Sequence, residues 1–228
     1  MTIPIITAFK WVPPFARSYV RDMRARWAFE ETGQAYAVDA IDFATVKSPA
    51  HRVFQPFGQV PTYTDGDVEI FESGAIALHI ARRAPGLLPA DPAGQARAEQ
   101  WVIAALNSVE PWVMQVAVVD TFEADCEWSK MRRPKVIADV RQRISDLSDA
   151  LGDKPWLDGD MFTVADLIMV SVLRELHNCG LLKEFSNLAD YVSRGEARPA
   201  YVRALAAQMA DFIDDAAMAK SQAQEPDA

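Results

Sequence analysis

Two kinds of apolar pattern alternate through the first 84 residues, and their order constrains the fold more than any other feature of the chain. Residues 3–9 form a β-branched run closed by Lys10, Trp11, Val12, Pro13 and Pro14, the pattern of a buried strand followed by a loop. A helix is predicted over residues 15–32, with Pro14 at its first turn, Phe15, Tyr19 and Met23 and then Trp27 and Glu31 on successive turns, and Gly33 just past its end. Residues 36–41 read as a second strand and residues 49–55 as a short helix capped by Ser48. Residues 62–64 and 68–71 are short β-prone segments joined by Asp65, Gly66 and Asp67, the chemistry of a tight hairpin. Ile76 and Ile80, among Ala77, Ala81 and Ala84, predict a helix over residues 73–84. The order is βαβαββα. Parallel strands need helical crossovers and antiparallel strands accept hairpins, so this order predicts one mixed sheet with helices on its faces.

Breakers then concentrate at Pro85, Gly86, Pro89, Pro92 and Gly94, which sets a linker at residues 85–94 between a first domain (1–84) and a second (95–220). Beyond it strand signals largely disappear. Helical periodicity fits residues 95–119 with a bend near Pro111, then 134–151, 164–176, 187–193 and 199–218. Residues 221–228 are polar and are expected to fray. A length of 228 residues, 50% apolar, suits one large domain or two small ones and argues against disorder.

Lys plus Arg number 23 against 32 for Asp plus Glu, a formal charge of −9, so nucleic acid and anionic membranes are poor partners. Met1 to Ile6 holds no basic stretch of a secretory signal, and the longest apolar runs fall short of the roughly 18 residues of a membrane span, so a cytoplasmic location is expected. Cys126 and Cys179 lack the spacing of a dithiol or zinc motif, and His51, His79 and His177 are scattered, so no metal site is expected.

Two segments carry chemistry. Val60–Pro61 leads into the first hairpin strand, where a cis bond turns the Val60 N–H and C=O outward as a pairing edge, whereas a trans bond makes an ordinary loop. Glu72 and Ser73 stand where the second hairpin strand meets the next helix. Ser73 is the expected cap; the exposed amides of a first turn favour a carboxylate, and Glu72 suits an ammonium group.

With these segments the arrangement resembles the glutathione S-transferase superfamily in its bacterial, soluble form, over residues 3 to about 218. Arg26, Trp27, Ala28, Phe29, Glu30, Glu31, Thr32, Gly33 is similar to the end of the family's first helix. Lys47, Ser48, Pro49 and then Gln55, Pro56, Phe57, Gly58, Gln59, Val60, Pro61 resembles its approach to a cis-proline, and Glu72, Ser73, Gly74, Ala75, Ile76 its γ-glutamyl recognition segment. Leu157 to Asp166 is similar to its N-capping box and hydrophobic staple; locally, Thr163 caps a helix while Asp166 reaches back to the Thr163 amide.

The resemblance implies a thioredoxin-like α/β domain followed by an all-α domain, with a glutathione site. Val60 would pair its backbone with the cysteinyl unit, Pro61 would be cis, Glu72 and Ser73 would hold the γ-glutamyl end, Gln59 would lie toward the glycyl half, and Lys47 either reaches the terminal carboxylate or is a solvated lysine on a loop. A thiol with a pKa near about 8.5 must be held as thiolate, which needs a donor beside the sulfur. Ser18 and Tyr19 are the nearest hydroxyls to the place where the family puts that donor; the loop from Lys10 to Pro14 is longer than the family's, and Trp11 is the alternative occupant of the pocket. Trp101, Trp112, Met114, Phe122, Trp128 and Met131 either pack between helices or receive a hydrophobic electrophile. The expectation is a homodimeric glutathione transferase without a metal; the alternatives are a glutathione-dependent reductase or peroxidase, and a binding or regulatory protein on the same fold.

Overall fold

The computed structural model describes residues 2–214, which form two compact units. Among the described residues, one runs to Ile80 and takes in Ala200–Asp214; the other is Ala81–Pro199.

The first unit is built on a four-stranded sheet. Strands β1 (Ile5–Phe9) and β2 (Ala37–Ile41) pair in parallel, β1 and β3 (Thr62–Asp65) antiparallel, and β3 and β4 (Val68–Phe71) as a hairpin, giving the order β2-β1-β3-β4. Helix α1 (Asp22–Thr32) makes the crossover from β1 to β2 and ends at Gly33, whose φ of 64° permits the left-handed cap. Two short helices follow, α2 (Phe43–Lys47) and α3 (Pro49–Phe54). Ser48 caps α3 by accepting from the His51 N–H, as expected, and Asp42 caps α2, a helix that its five residues make too short to show a period. Helix α4 (Ser73–Arg83) leaves β4. Ile6, Trp27, Phe29, Tyr63, Ile76 and Ile80 make the interior, with the Phe29 and Tyr63 rings stacked at 6.3 Å.

The helix predicted from residue 15 starts at Asp22 instead. A 3₁₀ turn occupies Pro14–Ala16, Arg17 is extended, and Ser18 has a φ of 73°, which a continuing right-handed helix cannot contain. Phe15 and Tyr19 matched the helical period by coincidence of spacing.

In the second unit, α5 (Pro92–Ala104) and α6 (Glu110–Ala117) run through wide π turns at Ala105–Val109 and Val118–Phe122. By length and hydropathy alone, residues Pro92–Phe122 could span a bilayer. Ala98, Val102, Ala105, Val109, Val113 and Val116 are buried along this stretch, whose α5 and α6 pack on α8 (Val164–Leu173), the unit's most buried helix. Thr163 and Asp166 form the expected capping box of α8. Helix α7 (Glu127–Leu151) starts seven residues before the expected position and runs through Pro134, which forfeits one hydrogen bond inside an otherwise continuous helix. After 3₁₀ turns at Arg174–Leu176 and Leu181–Glu184 comes α9 (Ser186–Glu196).

Helix α10 (Pro199–Asp211), which the sequence reading placed in the helical domain, groups with the first unit. Its Tyr201 ring meets Trp27 edge-on at 4.9 Å and its Arg203 pairs with Glu30 at 2.7 Å, so α10 packs on α1, which is buried from Asp22 to Phe29. The end of the helix expected to reach residue 218, and the tail at 221–228, lie outside the described residues.

Candidate active site

The β3–β4 register positions the site. Thr62 pairs with Phe71 in antiparallel sense, so the chain entering β3 through Val60 and Pro61 and the chain leaving β4 through Glu72 and Ser73 lie at the same end of the hairpin. Val60–Pro61 is a cis peptide bond. The Val60 side chain is buried in a cluster with Ile41 and Val46, against which Phe9 and Val20 pack, while among the described residues nothing hydrogen-bonds to its backbone N–H or C=O. A buried side chain with an unpaired backbone is what an edge awaiting another extended strand requires.

The loop before Val60 is held from beneath. The Gln59 carbonyl sits 2.8 Å from His51 Nε2, Lys47 Nζ donates to the Gly58 carbonyl at 2.8 Å, and the Phe57 N–H donates to the Gln55 side chain at 2.7 Å. Gly58 has a φ of 62°, and a Cβ there would stand 2.9 Å from the Val46 carbonyl oxygen, so glycine is required twice over. Gln59 itself is exposed, and Lys47 supports the loop.

Glu72 is exposed and has a φ of 72°. Its carbonyl accepts from the Ile76 N–H, so Glu72, and not Ser73, occupies the cap position of α4, and Ser73 is the first helical residue. The expectation of Ser73 as cap is therefore corrected. Its buried hydroxyl accepts from Arg24 Nη1 at 3.1 Å instead. Arg24, on α1, thereby joins the candidate site without having been expected there; an arginine on a helix carries no local sign that it will be buried against a serine 49 positions away.

Ser18 and Tyr19 are half-buried in the loop before α1, and not on the helix. The next residue, Val20, packs against the cluster that Val60 forms with Ile41 and Val46. Trp11 is also half-buried and lies edge-on to Phe43 at 6.4 Å. Lys10 pairs with Asp42 at 2.8 Å; that hydrogen bond, together with those from Thr45, holds the Asp42 carboxyl well below the usual carboxylate range. In the helical unit, Trp112, Phe122, Trp128 and Met131 are exposed, so they are not the packing residues that helical spacing alone suggests. Among the described residues no cluster of His, Cys, Asp or Glu has the geometry to hold a metal ion.

The glutathione S-transferase N-terminal domain profile matches residues 15–82 and the C-terminal domain profile residues 112–206. Glutathione S-transferase F11 of Arabidopsis thaliana is 32% identical over 174 residues, covering 71% of this chain and 80% of that protein. This chain belongs to the glutathione S-transferase family. Glutathione S-transferase 1 of Zea mays is 33% identical over 164 residues, covering 65% of this chain and 72% of the relative. The fold is also that of a glutathione transferase from Burkholderia graminis, solved with two glutathione molecules per subunit: TM-score 0.78 at 24% identity, over 89% of this chain and 87% of that one. For this family member the four-stranded mixed sheet with its helices is the thioredoxin-like domain that the resemblance implied.

Proposed function

We propose that this chain binds glutathione and transfers its thiolate to a hydrophobic electrophilic small molecule. The observation that carries the reading is the Thr62–Phe71 register, which delivers an unpaired backbone edge at Val60 and the Glu72–Ser73 start of α4 to one end of the hairpin. The edge suits the extended cysteinyl backbone. The first amides of α4 and the Ser73 hydroxyl suit the γ-glutamyl carboxylate, and the exposed Glu72 carboxylate suits its ammonium group. In this reading Ser18 or Tyr19, in the loop whose Val20 packs against the Ile41, Val46 and Val60 cluster, donates to the sulfur, and a hydroxyl donor favours the thiolate without itself becoming charged. The relatives' names support the same substrate. In this reading the protein works as a cytoplasmic homodimer and needs no metal.

Calorimetric titration with glutathione tests it: binding is expected, and Glu72→Ala or Ser73→Ala weakens it about tenfold, as loss of one charge-assisted hydrogen bond does. Absence of binding by the unaltered protein overturns the reading. Turnover is expected with a chromogenic aryl halide; activity confined to hydroperoxides or disulfides replaces conjugation by reduction. Loss of turnover in Ser18→Ala or Tyr19→Phe identifies the activating hydroxyl, and full turnover in both removes these residues from that role.

A further inference from the structure

The end of α10 and the residues after it are fastened to the loop that carries Ser18 and Tyr19. The Gln208 side-chain amide donates to the Val20 carbonyl at 3.2 Å and to Asp22 Oδ1 at 2.9 Å. Arg26 bridges Asp22, at 2.7 Å, to Asp211, at 2.6 Å. The Arg17 guanidinium lies over the Phe212 ring, 5.8 Å from its centroid, and the Ile213 N–H donates to the Lys10 carbonyl at 2.9 Å. These contacts grip the loop at Lys10, where it leaves β1, at Arg17 in its middle, and at Val20 and Asp22, where it enters α1.

The loop needs such support. Ser18 sits at a φ of 73°, a left-handed conformation that costs a non-glycine residue about 1 kcal/mol or more unless its surroundings impose it. Gln208 is 1% exposed, as is Asp22, so its two amide hydrogens are committed to two acceptors on either side of Arg21. One side chain thereby fixes the end of the loop relative to the start of α1, and Val20, whose carbonyl it holds, packs against the cluster that contains Val60.

We propose that Gln208, with the segment through Ile213, is a positioning residue for the thiol-activating loop, setting where the Ser18 and Tyr19 hydroxyls stand relative to the Val60 edge. As a statement about catalysis this rests on the glutathione reading above; as a statement about the loop it stands on the contacts alone. The C-terminal segment thus belongs to the catalytic apparatus through its hold on the loop backbone.

Two variants of the full-length protein test it. Gln208→Met keeps length and bulk and removes both donors; Ile213→Pro removes only the amide that reaches Lys10. Each is expected to speed amide hydrogen exchange across residues 10–21 by about fivefold to tenfold, the equivalent of one hydrogen bond, while α8 exchanges as before. With an aryl halide, kcat is expected to fall about tenfold and the pH midpoint of kcat/KM to rise, while the dissociation constant for glutathione stays within about twofold. Loop exchange equal to that of the unaltered protein overturns the proposal, and so does a lower melting temperature with kcat and pH midpoint unchanged. If Gln208→Met does not fold, Ile213→Pro decides alone. If the unaltered protein binds no glutathione, the functional reading fails, and the exchange measurement still decides whether Gln208 holds the loop.

Discussion

Arg24 on α1 donates to the hydroxyl of Ser73 at the start of α4, 3.1 Å away, and both side chains are buried. A guanidinium only donates, so the Ser73 oxygen is the acceptor and its proton is left to donate elsewhere. A serine oriented in this way donates to an anion; a serine that capped its own helix would accept from it.

If Arg24 acts through Ser73, Arg24→Met weakens glutathione binding about tenfold, Ser73→Ala does the same, and the double variant is no weaker than Ser73→Ala alone. Calorimetry on the three proteins checks this. Losses that add show that Arg24 works independently of the serine.

Asp166 accepts from the Leu157 and Thr163 amides, each at 2.9 Å, and from the Tyr191 hydroxyl at 3.0 Å, all out of contact with water. Asp166→Ala leaves these donors unsatisfied, and a loss of about 3 kcal/mol is expected in urea unfolding. Asp166→Asn, which can still accept at one oxygen, is expected to lose less.

The pairing of Lys10 with Asp42 gives stability a dependence on acid. Because the folded carboxyl titrates below its unfolded value of about 4, the contribution is complete above that pH and is lost as pH falls through the lower, folded value. Asp42→Asn keeps an acceptor for the Thr45 N–H but has no charge, so at neutral pH it is expected to cost about 1 kcal/mol, a figure kept small by partial exposure, and the difference from the parent is expected to vanish in strong acid. Melting curves across that range decide the matter; a difference independent of pH rules out the ion pair as its source.

Gly195 lies within α9, where alanine would ordinarily add about 1 kcal/mol of helix stability. Here a Cβ would come within 2.8 Å of Val170 Cγ2 and 3.0 Å of its Cγ1, and valine has little rotameric freedom with which to withdraw. Gly195→Ala is therefore expected to destabilise by about 1 to 2 kcal/mol. A raised melting temperature would mean that α8 and α9 separate readily.

Features whose cause lies within a few residues were legible before the structure. The Asp65–Gly66–Asp67 hairpin, the Ser48 cap, the Gly33 stop and the Thr163–Asp166 box each follow from one or two side chains acting on adjacent backbone. The Val60–Pro61 and Glu72–Ser73 segments were found because their residue types, taken together with the family resemblance, already stated their chemistry. The loop before α1 was misread for the opposite reason. Aromatic spacing there mimics a helix, while Ser18 takes a left-handed turn in a loop whose Val20 and Lys10 carbonyls are bonded by Gln208 and Ile213, nearly the whole chain away.

By itself the sequence determined the order of the elements and the nature of the groups at the site, because periodicity, turn chemistry and capping are local free energies written over a few consecutive residues. Only the tertiary structure decided that Arg24 would donate to the Ser73 hydroxyl, that α10 would return to cover α1, and that Val20 at the end of the Ser18 loop would pack against the cluster containing Val60. Those outcomes depend on which buried polar groups find partners across the fold, and a donor's remote acceptor is not encoded in its neighbours.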